Sequence, residues 1–193
     1  DGRYRVLGET LDIGIGNMLD KFAREQGIPF PGGPEIERLA QKWLVDNPNS
    51  TLDGLELPYA VQGMDLAFSG LLNAALNLIE KGQPLEAVCW SLQEHAFAAC
   101  VEVAERAMAH AGKSELLLGG GVACNDRLRG MCDIMSENRG GSSHVPIKAL
   151  CVDNGSMIAT LGRLQLLWGN PTEFIDSAVR QDLRTDETPI LWN

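Results

Sequence analysis

The stretch Glu115-Leu116-Leu117-Leu118-Gly119-Gly120-Gly121-Val122-Ala123-Cys124-Asn125 decides the fold class. Its apolar beginning predicts a strand, which runs through three glycines into a helix predicted from Leu128 to Met135. Residues 149–155, Ala-Leu-Cys-Val-Asp-Asn-Gly, repeat this order before a helix that ends at Trp168. Alternating strand, turn and helix is typical of an α/β fold with parallel strands, in which ligands bind at the carboxyl ends of the strands. The two turns are therefore the first candidates for a site.

The residues before this stretch are predicted to be mostly helical, because apolar residues recur there at helical spacing. The predicted helices cover residues 11–26, 35–43, 69–79 and 85–111. Gly27 ends the first helix and Pro34 begins the second. The other predicted elements are a strand at 4–8, a loop at 46–63 with an extended stretch at 57–61, and a strand-like tail at 189–192.

The composition is that of an ordinary globular domain. The chain has 193 residues, of which 45% are hydrophobic and 22% charged, and no stretch approaches the roughly 20 apolar residues of a membrane span. The first residues lack the apolar core of a secretory signal, and the five cysteines are an odd number with scattered spacing. We therefore expect a cytoplasmic protein that does not bind membranes.

The net charge of −10 argues against this chain binding nucleic acid unaided, because neutralising a phosphate backbone requires clustered cations. The nearest approach to a basic patch consists of Arg127, Arg129, Arg139, Lys148 and Arg163. These residues are interpreted either as a surface that touches RNA or as solvated charges. Any RNA would be held partly by other components.

Glycines 119–121 and Asn125 are candidate ligand-binding residues. A glycine lets the backbone approach a flat or charged ligand that a Cβ would obstruct, although tight packing is the alternative explanation. Asn125 would either cap the following helix or turn its carboxamide toward the ligand. The pattern matches neither the P-loop nor the dinucleotide-binding fingerprint.

Three acidic residues are further candidates. Asp153 lies between a predicted strand and a helix, where a carboxylate would either bind a divalent cation or cap the helix. Asp20 and Glu37 lie on two helices joined by a turn that contains Gly32 and Gly33. Such a pair can hold ribose hydroxyls, but it can equally be two solvated surface acids.

No catalytic triad and no metal-ligand spacing are recognisable, so the catalytic residue is unknown from sequence. The histidines and the cysteines near the turns are expected as helix-face or buried residues: His95, His110, His144, Cys124 and Cys151. Ser69 lacks the context of a nucleophile elbow. Glu9 and Asp12 are the acids in the first part of the chain that the sequence offers as a general base.

Five blocks follow one another along nearly the whole chain: GETLDIGIGN at 8–17, PGGP at 31–34, FSGL at 68–71, GGGVACN at 119–125 and DNGSMIA at 153–159. Together they resemble the family that makes threonylcarbamoyladenosine in tRNA, once described as O-sialoglycoprotein endopeptidases. The first block and the ending Arg184-Thr185-Asp186-Glu187 resemble the archaeal branch.

The resemblance implies an ASKHA fold of the actin/Hsp70 type, with two ribonuclease H-like domains and ATP in the cleft between them. Residues 1–193 would be its C-terminal, nucleotide-binding half. Family members transfer a threonylcarbamoyl group from threonylcarbamoyl-AMP to N6 of adenosine 37 in ANN-decoding tRNAs, with ATP and one divalent metal, which is iron, zinc or magnesium. In archaea and eukaryotes they are the catalytic subunit of the KEOPS complex, beside a small kinase/ATPase subunit and a small dimerising subunit.

The resemblance also assigns residues. The nucleotide contacts of the family match Asp20, Gly33, Glu37 and Asn125, Gly120 and Gly121 lie near the adenosine, and the metal-binding aspartate matches Asp153. The family's other metal ligands, a His-x-x-x-His pair, and its Ser-Gly-Gly phosphate loop precede the block near Tyr4, and neither occurs here. The resemblance therefore implies a fragment without its N-terminal domain, inactive alone.

Two alternatives stay open. One is a noncatalytic module that docks a partner subunit through the helical faces of residues 11–43 or 85–111. The other is an ASKHA-type small-molecule kinase, which the blocks at 68–71 and 153–159 disfavour.

Overall fold

The computed structural model describes residues 4–152, 155–169, 172–188 and 190. These residues fall into two units, a first unit of Gly8–Cys151 and a second unit made of the described parts of Asp1–Leu7 and Val152–Asn193. Both helices and strands are present, so the fold is mixed α/β. The candidate residues before position 152 all belong to the first unit.

Four helices of the first unit confirm the predictions from apolar periodicity. They are α1 (Ile15–Glu25), α2 (Gly32–Asp46), α3 (Ser69–Glu80) and α4 (Leu85–Ala111). Helix α2 is longer than predicted, because it begins at the glycines and includes Pro34 in its first turn. The first four N–H groups of a helix have no partner within the helix, so a proline there removes no hydrogen bond.

The core of the first unit lies where α2 packs against α4, with α1 and α3 beside them. Phe22 of α1, Ile36 of α2 and Phe97 of α4 are completely buried. Burial of an apolar side chain of this size contributes about 1.5–3 kcal/mol. Much of the apolar surface of residues 11–43 and 85–111, the helical segments of the docking alternative, is therefore packed inside the unit, whereas Leu11 and Phe30 are exposed. Docking of a partner subunit stays a prediction.

The glycine-rich stretch forms a strand–helix–strand unit. Strand β3 (Glu115–Leu117) pairs in parallel with β4 (Ser142–His144), and α5 (Asp126–Asn138) connects them. The predicted strand, glycine turn and helix are thus confirmed, with a 3₁₀ turn at Gly121–Cys124 between the glycines and α5. The polar strand β4 was not predicted, because it offers no apolar alternation.

Two other predicted elements differ from the structure. The run at 149–152 is not a strand, because Lys148–Cys151 forms a short helix, α6, and Val152 lies in a bend. Residues 4–8 form no strand; nearby, Thr10 makes an isolated bridge to Leu66. Short apolar runs do not distinguish a strand from a piece of helix.

The remaining elements are small, apart from one helix. The loop predicted at 46–63 ends in an antiparallel hairpin of two short strands, β1 (Val61–Gln62) and β2 (Asp65–Leu66). In the second unit, α7 (Gly155–Trp168) confirms the predicted helix, and 3₁₀ turns follow at Phe174–Asp176 and Thr185–Glu187. Of the predicted strand-like tail only Ile190 is described. None of the described helices combines the length and apolar character required to cross a membrane.

Candidate functional site

The first side of the site is the junction between α1 and the start of α2. The Gly32 N–H donates a hydrogen bond of 2.8 Å to Oδ1 of Asp20. A Cβ on Gly32 would lie 2.3 Å from the Cβ of Ala23, so only glycine allows this close approach of the two helices. Asp20 thus places its negative charge at the positively polarised N-terminus of α2, which is electrostatically favourable.

Glu37 makes the same type of contact with a different helix. Its Oε1 accepts a hydrogen bond of 2.7 Å from the N–H of Asp126, the first residue of α5. Asp20 and Glu37 are both half-buried. Among the described residues, no donor bonds to Oδ2 of Asp20 or to Oε2 of Glu37, so each carboxylate keeps one acceptor oxygen for a ligand.

Asn125 is the N-cap of α5. Its Oδ1 accepts hydrogen bonds from the N–H groups of Arg127 at 2.9 Å and Leu128 at 3.2 Å, and its Nδ2 donates to Oε1 of Gln93 at 2.8 Å. The capping interpretation is therefore confirmed. A carboxamide nitrogen carries two hydrogens, and the second has no acceptor among the described residues.

The glycine turn is open. A Cβ at Gly119, Gly120 or Gly121 would meet no atom within 4 Å, and the same holds for Gly33 in the first turn of α2. Tight packing therefore does not account for these glycines. Only Gly120, with φ of 88°, has a backbone conformation that itself favours glycine. The others leave bare backbone that a ligand can approach.

Helix α1 lies beside the glycine turn. A Cβ on Gly16, in the first turn of α1, would lie 3.4 Å from Cγ2 of Val122. Together with the contact from Glu37 to the N-terminus of α5, this places α1, α2 and the turn around one surface. The structure thus brings together Asp20, Gly33, Glu37, the glycine turn and Asn125, while their ligand contacts remain predictions.

Asp12 has a structural role in the loop before α1. Its carboxylate accepts hydrogen bonds from the N–H groups of Ile13, Phe68 and Ser69, and the last two mark the start of α3. Partial desolvation raises the pKa of Asp12, but the three backbone donors outweigh it and lower the pKa from 3.8 to about 2. A carboxylate this acidic is a poor general base, so the structure disfavours Asp12 in that role.

The proposed basic patch is not a free cationic surface within the first unit. Four of its members contact protein groups: Arg127 pairs with Glu94, Arg129 donates to the carbonyl of Ala123, Arg139 lies near Glu105, and Lys148 lies near Asp126. Arg163, the fifth member, is on α7 in the second unit. The interpretation as an RNA-binding surface is correspondingly weakened.

The cysteines and histidines of the first unit show no catalytic arrangement among the described residues. Cys151 is buried, and the Sγ of half-buried Cys124 lies 3.7 Å from the carbonyl of Lys148. His95 connects α4 to the preceding loop, because its Nδ1 lies 2.8 Å from the carbonyl of Ser91 and its Nε2 accepts from the N–H of Leu57. Burial of Cys151 and the position of His95 on a helix are as expected, whereas Cys124 is only half-buried.

A metal site cannot be assembled from the described residues. No group of three or more His, Cys, Asp or Glu side chains is placed among them to hold an ion. Asp153, the predicted metal ligand, lies outside the described residues, as does Asn154.

Sequence interpretation missed Gln93 and Asp126, which complete the hydrogen bonds of the site. Gln93 lies inside the first half of the 27-residue helix α4, and Asp126 contributes its backbone N–H rather than its side chain. Neither role leaves a local sequence signal.

Comparisons with known proteins identify the family of this chain. Residues 1–160 match the TsaD family, described as tRNA N6-adenosine threonylcarbamoyltransferase. The chain is 53% identical over its whole length to the tRNA N6-adenosine threonylcarbamoyltransferase of Thermococcus kodakarensis, of which it covers 57%. It is 52% identical to a probable bifunctional tRNA threonylcarbamoyladenosine biosynthesis protein of Methanoculleus marisnigri, of which it covers 34%.

A solved structure shares the fold. The crystal structure of T. kodakarensis HypF superposes with a TM-score of 0.60 and 23% identity, over 80% of this chain and 20% of that chain. The chain spans between about a third and just over half of the length of the curated relatives given above. Because the family match extends over most of its residues, the chain belongs to the tRNA N6-adenosine threonylcarbamoyltransferase family.

Proposed function

We propose that this chain is the nucleotide-binding part of an enzyme that transfers a threonylcarbamoyl group from threonylcarbamoyl-AMP to N6 of adenosine 37 in ANN-decoding tRNAs. Support comes from its family membership and from the names of relatives that are about half identical to it. The substrate, the ATP requirement and the transfer itself are proposed for the whole protein, since the chain covers only part of those relatives.

The observation that carries the proposal is the surface around Asp20, Glu37 and the glycine turn. Each of the two carboxylates is anchored through one oxygen by a backbone N–H group. The other oxygen of each can accept a hydrogen bond from a ribose hydroxyl. Beside them, Gly33 and the turn at 119–121 present backbone that no protein side chain covers. A flat base or a charged phosphate can approach backbone of this kind closely.

For the architecture, we propose the C-terminal half of an ASKHA fold. The parallel β3–β4 pair with its connecting helix and the likeness to part of HypF support this assignment. The N-terminal ribonuclease H-like domain would then supply the second wall of the ATP cleft.

We propose Asp153 as one ligand of a divalent metal, which would be iron, zinc or magnesium. One carboxylate is not a metal site, and the described residues add no ligand cluster to it. The other ligands would have to come from outside the described residues, so we assign no chemical step to the ion.

The proposed partners are tRNA and the other KEOPS subunits, including the small kinase/ATPase subunit and the small dimerising subunit, in the cytoplasm. The net charge of −10 and the pairing of Arg127, Arg139 and Lys148 with carboxylates support a tRNA held largely by other parts of the complex.

The test is mass spectrometry of tRNA nucleosides after incubation of the full-length protein and its partners with threonine, bicarbonate, ATP and tRNA. The wild type should produce threonylcarbamoyladenosine, and Glu37→Ala should produce much less of it. Glu35→Ala is the matched control, because Glu35 lies in the same helix but, among the described residues, pairs with Arg38 alone. Absence of the modified nucleoside with the wild type would refute the proposed activity.

A further inference from the structure

Helix α4 holds the first turn of α5 through two adjacent side chains, Gln93 and Glu94. Gln93 bonds to Asn125, and Glu94 bonds to Arg127. We propose that Gln93 and Glu94 are positioning residues for the nucleotide site, because they fix the carboxamide of Asn125 and the N-terminus of α5 against the core. This inference rests on the proposed function.

The bond between Gln93 and Asn125 fixes the direction of one free donor. The carboxamide of Asn125 is planar, and its Oδ1 and one Nδ2 hydrogen are already bound, the latter to Gln93 at 2.8 Å. The direction of the remaining hydrogen is therefore determined. Both side chains are nearly buried, at 4% exposure for Gln93 and 8% for Asn125, so water competes little for these bonds.

Glu94 adds a bidentate contact to Arg127, which lies two positions after Asn125. The Nε and Nη2 atoms of Arg127 lie 2.6 Å from Oε1 and Oε2 of Glu94. Paired parallel bonds of this kind define orientation as well as distance. The N–H of Arg127 also bonds to Asn125, the N-cap. The side chains of Glu94 and Asn125 therefore both hold the first turn of α5.

Helix α4 is a suitable platform for this role, because it lies at the centre of the core. Val88, Leu92 and Phe97 on both sides of Gln93 are completely buried. Binding groups are held most accurately when packed secondary structure supports them. In this arrangement Gln93 and Glu94 hold the residues that follow the glycine turn in a fixed position relative to the core.

The test is nucleotide binding by full-length Gln93→Leu, with ATP as the probe in calorimetry and with the thermal midpoint measured in parallel. Leucine removes the acceptor for Asn125 and frees its carboxamide to turn, so the hydrogen bond from Asn125 to the nucleotide should be lost. We expect affinity to fall about five- to ten-fold, the effect of one lost hydrogen bond. Gln93→Glu keeps an acceptor oxygen whether ionised or protonated and should retain near wild-type affinity. In steady-state assays the loss should appear in KM for the nucleotide rather than in kcat.

Ser91→Ala is the matched control for stability. Ser91 is a buried residue of the same helix, and its hydroxyl bonds to the carbonyl of Leu55, away from α5. It should lower the thermal midpoint without changing nucleotide affinity. If Gln93→Leu behaves like Ser91→Ala, with reduced stability and unchanged affinity, the positioning role is refuted.

Glu94→Gln gives a second, milder measurement if Gln93→Leu does not fold. It weakens the bond to Arg127 on the surface of α4, and we expect about a two- to three-fold loss of affinity. Unchanged affinity in this variant would overturn the proposal. If the wild type itself does not bind ATP, the proposed function fails, whereas wild-type binding with unaffected variants refutes only the positioning role.

Discussion

Replacing Gly33 by alanine should change the stability of the protein and its affinity for nucleotide in opposite directions. Gly33 is the second residue of α2, its φ is not positive, and an added Cβ would meet no atom within 4 Å. Alanine is about 0.5–1 kcal/mol more favourable than glycine in a helix, so Gly33→Ala should be more stable than the wild type. For a chain of this size, that gain corresponds to a rise in thermal midpoint of about 1–4 °C.

The same substitution should impair nucleotide binding. The new methyl group would occupy the surface where the ligand is proposed to approach the backbone, beside Asp20 and Glu37. We expect the affinity for ATP in calorimetry to fall about ten-fold or more, equivalent to about 1.4 kcal/mol. A variant that is more stable but binds less tightly is difficult to explain by any purely structural role for this glycine.

Gly130→Ala is the control for this experiment. Gly130 lies within α5, and a Cβ there also meets no atom within 4 Å, but it does not belong to the site. It should raise the thermal midpoint and leave affinity unchanged. Undiminished binding by Gly33→Ala would refute the argument from bare backbone, and a lower thermal midpoint would contradict the open geometry around Gly33.

Three further predictions concern stability and thiol chemistry. Asp12→Ala should lower the free energy of unfolding by about 1–2 kcal/mol at pH 7, because the N–H groups at the start of α3 lose their acceptor. Since the folded-state pKa of Asp12 is lowered from 3.8 to about 2, this contribution is complete above about pH 4 and is lost as the pH falls toward 2. Urea denaturation should therefore show a difference from wild type that narrows over that range, and a constant difference would contradict the assignment. Gly141→Ala should cost about 1–3 kcal/mol in thermal denaturation, because its Cβ would lie 2.0 Å from the backbone oxygen of Ser114; an unchanged midpoint would disprove the register of β3 and β4. Burial raises the pKa of Cys89 to about 12 and shields its side chain completely, so at pH 8 this thiol should be alkylated only after denaturation, as followed by mass spectrometry; rapid alkylation of Cys89 in the native protein would show that it is accessible.

The helices were predictable because their signal is local. In α4, apolar residues recur at helical spacing from Leu85 to Ala111, and the structure gives the same bounds. The run at 149–152 misled the interpretation, because four apolar or small residues fit a strand and a helical turn equally well. Strand β4 was invisible to periodicity, since Ser142–His144 is entirely polar and its place beside β3 is set by pairing.

The candidate site likewise has features that could be predicted from sequence and features that could not. Asp20, Glu37, Asn125 and the glycines could be named from sequence, because their order along the chain resembles a known family and their chemistry suits a nucleotide. The sequence could not decide between a cap and a ligand contact for Asn125, or between packing and access for the glycines. Those choices depend on which atoms surround each residue.

The sequence by itself determined the long helices, the glycine turn and the family, because periodicity and ordered motifs are properties of the chain. Only the tertiary structure decided how the site is held together. Glu37 bonds to the backbone of Asp126, 89 positions away, and Gln93 bonds to Asn125, 32 positions away. These contacts exist because α2 and α5 both pack against α4, and packing of distant segments depends on the whole core rather than on any local pattern.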